Sequence, residues 1–297
     1  MSKKIFAAKL SIFSNTFLIL IKVFMGIMTG SVSIISEAIH STVDLVASII
    51  AFFSVKVSEL PPDESHPFGH EKIENVSGVI EAILIFIASV LIIYEAGKKL
   101  FHGSEIESVG LGFIVMFISA FVNLFVSKYL YKIAKSENSI ALEADALHLK
   151  TDVYTSFGVG IALLIIKITS LNFLDPIIAI IIALFIFKEA FEILVKAFNP
   201  LLDSKISDEE IILIKNAVSK HSRSFIDFHE LRTRSAGKTR YIDMHLTLCR
   251  NLTVSDSHEI CDNIENEIET LLPNTKILIH VEPCESKHHD SPDCVRV

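Results

Sequence analysis

Ala144-Asp145-Ala146-Leu147-His148-Leu149-Lys150-Thr151-Asp152 lies inside a run, residues 139–167, that is otherwise largely apolar. Ser36-Glu37-Ala38-Ile39-His40-Ser41-Thr42-Val43-Asp44 lies inside a second such run, residues 31–57. Each run is long enough to cross about 30 Å of hydrocarbon as a helix. A charge at that depth is costly unless it is paired, hydrated or metal-bound. Both stretches contain His-x-x-x-Asp, and on a helix positions i and i+4 share a face about 6 Å apart. Two such helices facing each other would present two imidazoles and two carboxylates to one point, a donor set that suits tetrahedral Zn²⁺. A single His-x-x-x-Asp reads more simply as a hydrogen-bonded pair, but two copies within spans point to a metal site.

Working outward, four further runs, near 10–30, 76–100, 109–135 and 171–198, have the length of spans. Thr29-Gly30-Ser31 separates the first two, and the loop Leu60-Pro61-Pro62-Asp63-Glu64-Ser65-His66-Pro67 separates the second from the third. The expected architecture for residues 1–200 is therefore an all-α six-helix transmembrane bundle. A mean hydropathy of +0.50 agrees with it. No cleavable signal peptide is read at the basic N-terminus, because the apolar run after Lys9 has the length of a span. An even number of spans leaves both termini on one side. Lys3, Lys4, Lys9, Lys56, Lys72, Lys128, Lys132 and Lys135 lie on that side, against Lys98, Lys99 and Lys167 opposite. The positive-inside rule then predicts cytoplasmic termini in an inner membrane.

Glu37, Glu143 and Asp145 are expected to line a hydrated vestibule. Glu81, Glu95 and Asp175 are expected near the interface or in interhelical hydrogen bonds. Asn15 and Asn123 are expected to join helices.

The last third differs in character. Residues 201–297 hold 12 Lys+Arg and 17 Asp+Glu, and seven of the twelve histidines. Residues 205–285 read as helix, strand, strand, helix, strand. Helices are expected over Ile206–Lys220, after Ser204, and over Ser255–Leu272, with an approximate capping box at Ser255. Phe225–Thr233 and Thr239–Leu248 alternate as strands around Ser235-Ala236-Gly237-Lys238, and Lys276–Val281 is a short apolar strand. The four cysteines match no zinc-finger or haem spacing and are expected as reduced thiols. The tail, 286–297, reads equally as a metal-capturing segment and as a solvated end. A net charge of −8 opposes nucleic-acid binding.

Together these residues resemble the cation diffusion facilitators, most closely the bacterial zinc- and iron-efflux exporters of that family. The span-five and span-two motifs carry the resemblance, with the loop His66-Pro67-Phe68-Gly69-His70-Glu71-Lys72. The resemblance implies a transport site of His40, Asp44, His148 and Asp152. The closest bacterial members have Asp at the position of His40, and imidazole there favours Zn²⁺ over Mn²⁺. Cd²⁺, Co²⁺ and Ni²⁺ stay open as substrates, with Fe²⁺ less favoured. The resemblance implies a second metal site at Asp63, His66 and His70, where spacing alone leaves a solvated acidic loop equally open. It implies a regulatory zinc site at His229, His245, His258, His280 and Glu282. It further implies an inter-domain charge pair, Lys72 with Asp203, and a metallochaperone-like (ferredoxin-like) α/β cytoplasmic domain over 201–285 that forms a homodimer.

The expected activity is Zn²⁺ export in exchange for protons by alternating access, with no enzymatic chemistry. The alternative is a membrane-bound zinc sensor or assembly protein without transport. An intramembrane zinc peptidase would need His-Glu-x-x-His, which is absent.

Overall fold

A computed structural model describes the backbone over residues 2–29, 32–102, 111–169 and 174–284. Within those stretches it describes all side chains except 29, 32–37, 39, 40, 43, 99, 102, 111–115, 159–169 and 174–175. The sequence-based readings of Glu37, Asp175 and the tail 286–297 lie outside the described residues. The chain divides into two units, Met1–Phe198 and Asn199–Val297.

The first unit is six long helices: α1 (Lys3–Thr29), α2 (Val32–Ser58), α3 (Ile73–His102), α4 (Leu111–Glu137), α5 (Ile140–Thr169) and α6 (Leu174–Phe198). Even 25 residues, the length of α6, span ~37 Å at 1.5 Å per residue, more than the hydrocarbon thickness. Lys3–Met28, Ile73–Lys98 and Met116–Glu137 are, among the described stretches, apolar enough to cross a membrane on length and composition.

The polarity of this unit is inverted. Phe13, Phe24, Tyr94, Phe121, Ile181 and Phe191 project outward, while Ser11, Asn15, Ser48, Glu81, Asn123 and Asp145 are buried. Water would not tolerate that many outward aromatics on a monomeric domain; a lipid solvent requires them. The first helix starts well before residue 10, where the apolar run begins. Ala7 and Ala8 are buried against Val55, Ala134 and Ala141, so packing carries the helix beyond the hydrocarbon boundary that hydropathy detects.

The second unit is a three-stranded mixed sheet with two helices. Asn199–Leu202 form a short 3₁₀ turn, followed by α7 (Asp208–Lys220), β1 (Asp227–Ala236), β2 (Thr239–Leu248), α8 (Val254–Leu271) and β3 (Thr275–Pro283). β1 pairs antiparallel with β2, and β2 pairs parallel with β3 across the α8 crossover. This is the ferredoxin-like arrangement. Even-numbered residues of β2 (Ile242, Met244, Leu246, Leu248) enter the core with Ile214, Val218, Ile264 and Ile268 from the helices. Odd-numbered residues face out, His245 among them. Gly237, at φ 54°, supplies the left-handed turn residue between β1 and β2.

Both helix starts differ from the sequence-based expectation. For α7 the N-cap is Ser207 rather than a residue near Ser204: its side chain accepts from the Glu210 backbone N–H, and Glu210 reciprocates. For α8 the N-cap is Thr253, paired with Asp256 in the same way, rather than Ser255. Aspartate in the Glu/Gln position of a capping box hid this second start. Replacing Ser207 by alanine is expected to cost about 1 kcal/mol of helix stability. Hydrogen exchange of the first-turn amides of α7 should accelerate about fivefold.

Candidate metal sites

The membrane-embedded candidate is built where α2 and α5 meet. Asp44 is buried, and its Oδ1 lies 2.9 Å from His148 Nε2. Asp152 follows His148 by one helical turn, and its Oδ2 accepts from Asn123 Nδ2 of α4 at 3.2 Å. The structure therefore brings Asp44 and His148 together, with Asp152 on the same face of α5. Among the described residues, His148 Nδ1 and Asn123 Oδ1 are buried without a hydrogen-bond partner. His40 sits one turn before Asp44 on α2, and its side chain lies outside the described residues. An imidazole nitrogen and a carboxylate oxygen that meet in a buried place, with a second carboxylate one helical turn on, can contribute ligands to a divalent cation once deprotonated.

A polar layer adjoins this point. Asp145 Oδ1 accepts from Ser48 Oγ at 3.0 Å, and Ser48 also meets Asn15 Nδ2 (2.8 Å) and Ser11 Oγ (2.9 Å). Asp145 is wholly buried, so it is an interhelical acceptor and not part of a hydrated vestibule. Glu143 is held by two cations: Lys135 Nζ lies 2.9 Å from its Oε1, and Lys196 bonds its other oxygen. Asn15 and Asn123 join helices as expected. Glu81 of α3 is wholly buried and accepts from Ser77 Oγ, whereas Glu95 is exposed. Lys22 of α1, not singled out from the sequence, is buried and donates to Ser41 Oγ at 2.7 Å, one residue from His40. Its signal was present: a cation in the middle of an apolar span.

The loop between α2 and α3 gathers Asp63, His66 and His70 so that their donor atoms all lie within 4.8 Å. His66 Nδ1 is 3.2 Å from Asp63 Oδ1, and His70 Nε2 is 3.3 Å from Asp63 Oδ2. Gly69, at φ 90°, turns the chain so that His70 comes back over His66, with the rings 4.5 Å apart. Backbone N–H groups of His66 and Ser65 donate to Asp63, and that of His66 does most to hold its carboxyl below the usual range. The loop is thus organised, with an ionised carboxylate at its centre. Lys72 stands immediately before α3.

In the second unit one histidine comes from each strand. His229 of β1 pairs with His245 of β2, and His245 pairs with His280 of β3. Glu282, two residues after His280, reaches both His245 Nδ1 (3.0 Å) and His229 Nε2 (3.3 Å). His229, His245 and Glu282 have donor atoms within 4.8 Å of one another. His280 stands beside them, its ring 4.8 Å from that of His245 and its Nε2 3.9 Å from Glu282. Asp227, 3.1 Å from His229 Nδ1, is a carboxylate that sequence reading passed over. A bulge with Glu230 at φ 50° follows His229 and re-aims the strand beside the cluster. His258 lies instead on α8, exposed, 3.7 Å from Asp262. Asp203, at φ 54°, has Arg234 3.7 Å away. Cys261 and Cys284 are buried thiols, and burial pushes that of Cys261 up to about 11.

Helices that are apolar outside and polar inside, joined to a small α/β unit carrying clustered imidazoles and carboxylates, define an integral membrane protein with cation-binding chemistry. Residues 8–202 match the cation efflux transmembrane domain, and residues 206–284 match the cation efflux protein cytoplasmic domain. The chain belongs to the cation diffusion facilitator (cation efflux) family. It is 33% identical to an uncharacterised transporter of Synechocystis over 90% of this chain and 86% of that protein. It is 28% identical to the cation-efflux pump FieF of Shewanella oneidensis, over 93% of each chain. It is 31% identical to FieF of Yersinia enterocolitica, over 90% of this chain and 88% of that one.

Proposed function

We propose that this protein exports Zn²⁺ from the cytosol in exchange for protons, as a homodimer in the inner membrane with both termini cytoplasmic. The observation that carries the reading is the buried approach of Asp44 to His148 between α2 and α5, with Asp152 one turn away. His40, Asp44, His148 and Asp152 are the proposed transport ligands. Nitrogen and oxygen donors in equal number suit Zn²⁺, with Cd²⁺, Co²⁺, Ni²⁺ and, less favourably, Fe²⁺ as competitors.

Only deprotonated ligands bind the metal, so loading releases protons and protonation from the far side helps eject the ion. The helices must rock to expose the site to each side in turn. Zinc at His229, His245, His280 and Glu282, with His258 as a further proposed ligand, biases that equilibrium only if it binds one conformation better. Asp63, His66 and His70 are proposed as a cation site in the loop, and Lys72 with Asp203 as the charge pair that couples the units.

The test is zinc flux into proteoliposomes holding the purified protein, with an imposed pH gradient and a pH dye inside. Zinc and protons are expected to move in opposite directions, with both movements lost in Asp152→Ala. The histidine cluster of the second unit favours one other reading, a membrane-bound zinc sensor. Zinc binding without flux in the intact protein would select it. Replacing His40 by aspartate substitutes oxygen for nitrogen and should admit Mn²⁺, a harder ion. Competition of Mn²⁺ against zinc flux should strengthen about tenfold, the equivalent of 1.4 kcal/mol. Unchanged competition would refute the ligand-softness argument.

A further inference from the structure

A groove of about 720 Å³ runs between α4 and α6 over α5. Its deeper wall is apolar, with Leu124, Leu147, Val153 and Ile193, and Tyr154 stands beside the neutralised pair Lys150–Glu189 (3.3 Å). Its mouth lies at the helix ends where α4 and α6 finish and α5 begins, and it is basic. There Glu143 is shared by Lys135 and Lys196, so one carboxylate holds two ammonium groups. Lys128, exposed on α4 two turns before Lys135, is a further cation of the lining whose long side chain can extend toward the mouth. Tyr131 places its ring 5.2 Å from Lys135 Nζ. Glu192, also at the wall, is 3.6 Å from Lys188. The lining as a whole holds four lysines against three glutamates, an excess of one positive charge, with Lys135 and Lys196 at the mouth.

We infer that this groove binds one anionic phospholipid, its phosphodiester between Lys128, Lys135 and Lys196 and an acyl chain along Leu124, Leu147, Val153 and Ile193. Three features select that occupant. The groove is amphipathic along its length, as a lipid is. The shared Glu143 holds two ammonium groups at a fixed separation, while each retains N–H donors for phosphate oxygens. The basic end coincides with the helix termini, where headgroups sit in a membrane-spanning bundle, and basic pockets between helices at that level recognise anionic headgroups. A divalent cation is the wrong occupant for a mouth of this sign.

The full-length protein, purified in detergent and supplied with phosphatidylglycerol, should retain one tightly bound lipid per protomer in native mass spectrometry. Phosphatidylcholine, whose choline cancels the phosphate charge, should be retained at least tenfold less. The Lys128→Gln variant should weaken phosphatidylglycerol binding about fivefold, and Lys135→Gln with Lys196→Gln by a further factor of about 25. Lys135→Arg with Lys196→Arg keeps both charges and should keep the lipid. If the glutamine pair fails to fold, Lys128→Gln and the arginine pair still decide. Lys128 has an exposed side chain that the fold does not need. Unchanged retention in Lys128→Gln, or equal retention of phosphatidylcholine, overturns the inference. Displacement of the lipid by millimolar inorganic phosphate overturns it too, since the mouth would then be a free-anion site.

Discussion

Asp44→Ala is expected to abolish zinc-coupled proton movement and to weaken zinc binding to the membrane-embedded site by roughly 150- to 4,500-fold. Asp44 is 3% exposed and lies against His148 at 2.9 Å. Removing one member of a buried charged pair costs about 3–5 kcal/mol, which converts to that range. Two effects add in the same direction. The cation loses an anionic donor, and His148 loses the carboxylate that orients its ring.

Asp44→Asn separates these effects. The amide keeps the shape and can still hydrogen-bond the imidazole, so orientation survives while the charge does not. If orientation dominates, Asp44→Asn should retain most of the binding; if charge dominates, it should fall with alanine. We expect the second outcome, because a neutral amide oxygen is a poor donor to Zn²⁺ compared with a carboxylate. Isothermal titration of zinc, with the second-unit cluster disabled by His245→Ala and the loop cluster by His66→Ala, reads the membrane site alone. Binding within threefold of the unmodified protein in Asp44→Ala would show that Asp44 is not a ligand.

The elements that proved legible were those with a strong local period or a cost. Apolar runs located all six long helices, and the expense of charge in hydrocarbon singled out the His-x-x-x-Asp motifs. What stayed hidden depended on partners distant in sequence. Asp145 reads as a motif-flanking acid until Ser48 of α2, 97 residues away, is seen to donate to it. His245 and His280 stand outside the buried core of the second unit. The row of His229, His245 and His280 additionally required the register across both strand pairs, which a bulge after His229 adjusts. Neighbouring histidines in sequence order say nothing about that register. Thr253 was missed because its partner in the capping box is Asp256 rather than glutamate.

Glu74 shows the same blindness, and it leads to the second large expected effect. In sequence it is one acid in a loop-to-helix junction. In the fold it is 2% exposed, at the start of α3, and accepts from Lys4 Nζ of α1 at 2.5 Å and Ser58 Oγ at the end of α2 at 2.6 Å. Ser139, immediately before α5, donates to its other oxygen. Its neighbour Asn75 donates to the carbonyl of Ala197 in α6. A carboxylate at a helix N-terminus is already favoured by the exposed N–H groups. Here it also ties three other helices at one end of the bundle.

Replacing Glu74 by alanine leaves Lys4, itself 12% exposed, without its anion, takes the carboxylate acceptor from Ser139, and leaves Ser58 only the Val55 carbonyl. The expected loss is about 3–5 kcal/mol of stability, read as the shift of the equilibrium unfolding transition in mixed detergent micelles. Glu74→Gln retains an acceptor for the serines and should cost about half as much. Adding Lys4→Met to Glu74→Gln removes the stranded cation and should recover part of that loss, so the two changes are expected to be non-additive. Additive losses would mean that Lys4 is solvated at the membrane surface and gains nothing from Glu74. The stabilisation at this end of the bundle would then come from the serine hydroxyls alone.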